Sequence, residues 1–162
     1  GRAGIARPFI DPVFHGFILK KPMVVADVVI DRILHEFHPT GVQGRSQFGQ
    51  PVANFQLVQA MVADSQVEIY AARSMILEAA RARDRGEDVA LTASMCKYYA
   101  SEMCGRVADR CVQLFGGAGY IADFSPIERY YRDVRLFRLY EGTSQIHQLN
   151  IAKLVLRSRV PA

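Results

Sequence analysis

The sequence predicts an all-α protein, an up-down helical bundle, and three observations carry that prediction. Phe55, Val58, Val62, Ser65, Ile69, Ala72, Ile76 and Ala79 recur at alternating steps of three and four. That spacing lines one face of a helix packed nearly parallel to its neighbours. Ala93, Cys96, Ala100, Met103, Val107 and Leu114 form a second stripe, with small residues among larger ones, which lets two helix axes approach closely. Gly86 stands between the stripes, and the run Gly116-Gly117-Ala118-Gly119 and Pro126 follow the second, where they end and begin helices.

Taken in order, residues 1–43 read as an atypical N-terminal segment. They hold Pro8, Pro12, Pro22 and Pro39 and a β-branched run, Val24 to Ile30. Residues 23–38 suit a short helix or a strand and a turn, with His35 and His38 lacking a third metal ligand. The first regular helix is expected to open with Pro51 in its first turn. It runs about 34 residues to Arg85-Gly86, well above the mean length. The second spans Asp88 to Phe115. Ser125-Pro126-Ile127-Glu128 reads as a capping box that opens a short helix through Asp133. The last helix is expected to start at Thr143 or Ser144 and to bury Ile146, Leu149, Ala152 and Leu156, with His147 on its solvated side.

Composition narrows the function classes. The net charge of +4 is spread along the chain, with no basic stripe interleaved with aromatics, so a nucleic-acid partner is not expected. No apolar run reaches the roughly 18 residues needed to cross a bilayer. Cys96, Cys104 and Cys111 lie on one expected helix, where seven residues span about 10 Å, too far for a disulfide. Their spacing also fails the common zinc patterns. They read as buried small hydrophobes in a reducing compartment.

Chemistry concentrates at helix ends. Glu141 lies in Tyr140-Glu141-Gly142-Thr143-Ser144-Gln145, between an aromatic stretch and a helix start. Leu139 and Tyr140 can exclude water there, and Gly142 permits close backbone approach to a ligand. Thr143, Ser144 and Gln145 offer hydrogen bonds at a helix N-terminus, which favours anions. A carboxylate so placed suits a general base. Two further signals are Arg45-Ser46-Gln47-Phe48-Gly49 with Phe55-Gln56 beyond it, and Gln113-Leu114-Phe115-Gly116-Gly117-Ala118-Gly119-Tyr120. An arginine such as Arg45 can bind a phosphate bidentately.

These signals, with Arg132-Asp133-Val134-Arg135 before Tyr140-Glu141-Gly142-Thr143-Ser144-Gln145-Ile146, resemble in their order the C-terminal helical domain of the acyl-CoA dehydrogenase family. The resemblance covers Gly44 to Val160, so residues 44–162 are expected to form that domain. It implies FAD as cofactor and an acyl-CoA thioester as substrate. It also implies an electron-transferring flavoprotein as acceptor and a homodimer or homotetramer. By resemblance Glu141 is the catalytic base. Arg45 and Phe48 contact the FAD of a neighbouring subunit with Gln56 nearby, and Gln113 and Gly117 reach a flavin's adenosine end. Thr143 and Gln145 lie near FAD in the Glu141 subunit, and Tyr140 and Gly142 lie beside the flavin and thioester.

The family's acyl-pocket helical domain, its β-barrel domain and the long helix before Arg45 have no counterpart in this sequence. The chain therefore reads as a fragment, expected to self-associate and to be inactive in isolation. The alternatives are a catalytically silent assembly module or relic, and a related acyl-CoA oxidase. The expected location is a bacterial cytoplasm or the mitochondrial matrix.

Overall fold

The computed structural model describes residues 44–157. The 23–38 stretch, the His35/His38 pair and the boundary drawn at residue 43 lie outside the described residues.

The described chain opens with a two-stranded antiparallel hairpin, β1 (Ser46–Gln47) and β2 (Gln50–Pro51), with Ser46 opposite Pro51 and Gln47 opposite Gln50. Phe48 and Gly49 form its turn with φ of 53° and 78°, the left-handed pair that a two-residue hairpin requires. Pro51 is thus not in a first helical turn. Its φ of −56° and ψ of 138° are extended, and a proline on an edge strand loses no ladder bond. The hairpin closes when the Val52 N–H donates to the Arg45 carbonyl at 2.8 Å. A 3-10 turn, Val52–Asn54, then leads into α1 (Gln56–Asp84), whose 29 residues fall short of the expected length because the hairpin takes the first turn.

Helix α1 buries Ser65, Ile69, Ala72, Ile76 and Ala79, five of the eight stripe positions. Phe55, Val58 and Val62 are half-buried at its start, packed in a small cluster around Val52 and Leu114. Gly86, with φ of 81°, ends the helix, and its N–H donates to the Arg83 carbonyl at 2.9 Å.

Helix α2 (Ala90–Phe115) is capped by Asp88, whose Oδ1 accepts the Ala90 N–H at 2.9 Å. All six positions of the second stripe are buried, and so are Ser94, Lys97, Ser101, Cys104, Gly105, Ala108 and Cys111. The wide burial follows from its place. α2 packs on α1 along one side and on the remaining helices along the other. The three cysteines are buried and none forms a disulfide. Burial pushes the Cys96 thiol up to about 11 and the Cys111 thiol up to about 12, which leaves both protonated and unreactive at neutral pH.

Gly116 ends α2, followed by the four-residue α3 (Gly117–Tyr120) and by α4 (Ile127–Leu136). The capping box forms only on its serine side. The Ser125 oxygen accepts the Ile127 N–H at 3.4 Å while its hydroxyl donates to the Ala118 carbonyl at 2.9 Å. Glu128 pairs with Arg132 one turn on, at 2.9 Å. The helix continues past Asp133 because Val134 and Phe137 are drawn into the core.

Helix α5 (Ser144–Arg157) presents a different face from the one expected. Ser144 and His147 are buried against α2, whereas Ile146, Leu149 and Leu156 are 49%, 67% and 66% exposed. Ala152 is exposed as well. The orientation is set by polar contacts to α2. The Ser144 hydroxyl donates to Glu102 Oε1 at 2.6 Å, and Gln148 Nε2 donates to the Tyr98 hydroxyl at 2.8 Å. The described helices form the up-down bundle that the periodicity predicts, with Met103 and Val107 at its centre, both 0% exposed.

One ion cluster ties α1 to α2. Arg106 and Arg110 each approach the Glu68 carboxylate to 3.0 Å. Burial pushes the Glu68 carboxyl up, but hydrogen bonds from Arg110 and Arg106 together outweigh it and hold it below its ordinary range. Among the described residues no helix is long and apolar enough to cross a membrane.

Candidate functional site

Glu141 stands in the loop between α4 and α5. Its φ is 55° and that of Gly142 is 86°, two consecutive left-handed residues. For a residue with a Cβ that conformation costs roughly 1–2 kcal/mol, so the surroundings must impose it. They do so through buried donors. Lys97 Nζ donates to the Phe137 carbonyl at 2.5 Å and to the Gly142 carbonyl at 2.9 Å. His147 Nε2 lies 3.0 Å from the Glu141 carbonyl. A carbonyl only accepts, so Nε2 carries the proton.

The surroundings are part apolar and part charged. Tyr140 stacks on Phe137 with ring centroids 5.8 Å apart, and Lys97 Nζ lies 5.9 Å from the Tyr140 ring centre. Glu141, Gly142 and Thr143 are half-buried, and Gln145 is exposed. Leu139, expected to shield Glu141 from water, is 51% exposed in this chain. Thr143 Oγ1 accepts the Ile146 N–H at 3.3 Å and so caps α5. The Glu102 carboxylate, besides accepting from Ser144, lies 3.5 Å from Arg138.

These surroundings move three titrations. Burial holds the Lys97 ammonium below its ordinary value, partly opposed by the negative charges of Glu141 and Glu102. Burial also lowers His147. The Glu141 carbonyl works against that, and the Lys97 charge adds to it. Burial, then the charge of Glu141, raises the Tyr140 phenol.

A second group gathers at the other end of α2. The Arg45 side chain lies over Gly116, where an added Cβ would come within 2.8 Å of Nη1. A side chain at Gly116 would therefore displace the guanidinium. Gly117 faces open space. Phe48 is 93% exposed and meets Phe55 edge to face at 6.3 Å. Gln56 and Gln113 are exposed on the first turn of α1 and the last turn of α2.

The structure thus brings Arg45, Phe48, Gln56, Gln113 and Gly117 to one end, and Tyr140, Glu141, Gly142, Thr143 and Gln145 to another. It does not join the two groups. Lys97 and Gln113 are sixteen positions apart on α2, about 24 Å along its axis.

Two residues that bond to the Glu141 loop from neighbouring helices were missed by the sequence reading. Lys97 had one available sign: it follows Ala93 by four positions and so shares a buried face with it. His147, expected on the solvated side, is 1% exposed. The error follows from the face assigned to α5, since the apolar stripe there points away from the core.

Comparison with known proteins agrees with this architecture. Residues 28–156 match the family model described as acyl-CoA dehydrogenase, C-terminal domain, a match that begins within the N-terminal segment. The caffeyl-CoA reductase-Etf complex subunit CarC of Acetobacterium woodii is 42% identical over 113 residues, 70% of this chain and 30% of that protein. The cyclohexane-1-carbonyl-CoA dehydrogenase of Geobacter metallireducens is 41% identical over 113 residues, again 70% and 30%. The chain therefore spans about three-tenths of the length of these relatives. A crystal structure of a probable acyl-CoA dehydrogenase from Mycobacterium abscessus superposes with a TM-score of 0.81 at 31% identity, covering 88% of this chain and 37% of that one. Butyryl-CoA dehydrogenase from Megasphaera elsdenii gives a TM-score of 0.75 at 29% identity, covering 89% and 36%. Sharing the family's C-terminal sequence over residues 28–156 and its helical fold, the chain belongs to the acyl-CoA dehydrogenase family.

Proposed function

We propose that the chain supplies the C-terminal part of an FAD-dependent acyl-CoA dehydrogenase in which Glu141 is the base. The observation that carries the reading is the left-handed Glu141-Gly142 pair, held by buried Lys97 and His147 beside the start of a helix. Strain of that kind gathers where a side chain must be aimed. Glu141 takes the proton from the carbon α to the thioester carbonyl. The α C–H electron pair becomes the new double bond as hydride leaves the β-carbon. FAD, when bound, supplies the hydride acceptor, the chemistry proper to the cofactor.

The residues present fit that cofactor. Arg45 over Gly116, with open space at Gly117 and an exposed aromatic at Phe48, suits a pyrophosphate and an aromatic ring system. Gln56 and Gln113 add amide donors at the same end. Thr143 and Gln145 would meet the flavin of the Glu141 site, with Tyr140 and Gly142 beside the thioester. The separation of about 24 Å between the two groups supports half-sites completed by different copies, hence a homodimer or homotetramer. An electron-transferring flavoprotein is the proposed redox partner, in keeping with the Etf complex named for the Acetobacterium woodii relative.

The same groups can run the reaction toward the saturated thioester, with Glu141 returning the proton. The reductase name of that relative favours keeping this direction open. The test is spectroscopic. Full-length protein carrying this domain that purifies with yellow flavin and bleaches with a saturated acyl-CoA supports dehydrogenation. Reduced flavin reoxidised by an enoyl-CoA supports reduction. Colourless protein inert to both leaves a helical assembly module and overturns the enzymatic reading.

A further inference from the structure

We infer that Lys97 and His147 act together as a clamp that aims Glu141, making both of them positioning residues of the proposed reaction. The inference rests on Glu141 being the base. Three carbonyls of one short loop, Phe137, Glu141 and Gly142, face donors carried by two different helices. Both donors are withdrawn from water, Lys97 at 5% exposure and His147 at 1%.

The geometry leaves little freedom. An ammonium has three protons. Two of the Lys97 protons go to carbonyls five residues apart, and the ammonium also stands 5.9 Å from the centre of the Tyr140 ring. The His147 ring fills the space where Gly142 lacks a side chain, since a Cβ there would come within 2.9 Å of Nε2. Glycine at that position therefore serves the clamp as well as the positive φ. Glu102 braces the assembly from α2 by accepting from Ser144 at the start of α5.

A buried cation whose hydrogen bonds go to main-chain carbonyls is an expensive way to close a loop. A leucine or methionine would fill the volume without desolvating a charge. What the ammonium adds is direction. It fixes the carbonyls on both sides of Glu141, so the carboxylate leaves the backbone along one line. Misplacing a catalytic group by about 1 Å can cost roughly a hundredfold in rate.

The test uses the flavin-loaded, full-length enzyme carrying this domain, with Glu141→Gln, Lys97→Met, His147→Leu and His147→Gln compared side by side. Lys97→Met keeps the stem and removes the ammonium. The clamp predicts a kcat lower by roughly tenfold to a hundredfold with KM for the thioester changed less than about threefold. His147→Leu is expected to fall in the same sense. His147→Gln, which returns an N–H near that place, is expected to recover most of that loss. Amide exchange read alongside should quicken at Tyr140 to Thr143 and stay slow in α1.

If Glu141→Gln retains turnover, the base assignment is wrong and the clamp falls with it. If Glu141→Gln is inactive while Lys97→Met and His147→Leu keep kcat, the assignment stands and the clamp is overturned. Exchange that quickens equally across α1 and α2 makes the two residues supports of the fold, which also overturns it. Should Lys97→Met not fold, the His147 pair decides by the same readings.

Discussion

Glu141 does not adopt its left-handed backbone because its own sequence favours it. Asn and Gly prefer that region, and a glutamate does not. Its conformation is imposed by Lys97 from one helix and His147 from another. In the full-length enzyme Glu141→Gln should lower kcat by roughly a hundredfold to ten-thousandfold, measured as the rate of flavin bleaching by an acyl-CoA. A second expectation concerns pH. His147 is held below its ordinary value of 6.5, first by burial, so the folded state favours the neutral ring. As pH falls below about 6.5, the unfolded chain takes up a proton that the folded chain refuses, and stability declines until the folded value is passed. Urea midpoints between pH 7.5 and pH 5 should therefore drop for the parent and drop less for His147→Gln.

At the scale of elements, α2 is the axis on which the others are hung. Its residues meet α1, α3, α4 and α5, and Met103 is wholly buried at the middle. Met103→Ala should cost about 2–5 kcal/mol, read from the urea midpoint at constant m value. At the end of α1, Gly86 has φ of 81° and open space where a Cβ would stand. Gly86→Ala should then cost about 1 kcal/mol from backbone strain alone. Stripe positions and helix ends were legible because period and punctuation are local. The stripe of α1 reads correctly to Ala79 and that of α2 to Leu114. The capping box at Ser125 is only half made for a physical reason. Glu128 pairs with Arg132 one turn on and does not reach back to the cap, a competition the spacing does not display. The first turn assigned to Pro51 failed because Phe48-Gly49 forms a hairpin turn that competes for the same residues.

For the molecule as a whole, the apolar stripe of α5 stands uncovered among the described residues. Ile146, Leu149 and Leu156 face outward, and on α1 Leu57, Val67 and Tyr70 are 78%, 69% and 76% exposed. Exposed apolar faces of this extent promote association. The isolated chain should self-associate at micromolar concentration, and Leu149→Glu with Leu156→Glu should shift it toward monomer in sedimentation velocity. A sharp monomer for the parent chain would contradict this.

By itself the sequence determined the helical class, the two long core stripes, the buried cysteines and the run of residues around Glu141. Those depend on spacing along one chain, where side chains three and four apart share a face. Only the tertiary structure decided which face of α5 turns inward, that Arg45 lies over Gly116, and that Lys97 and His147 converge on the Glu141 loop. Each of these joins residues far apart in the chain or balances an apolar stripe against polar contacts to another helix. Local periodicity cannot weigh that balance, because it turns on what the facing element offers.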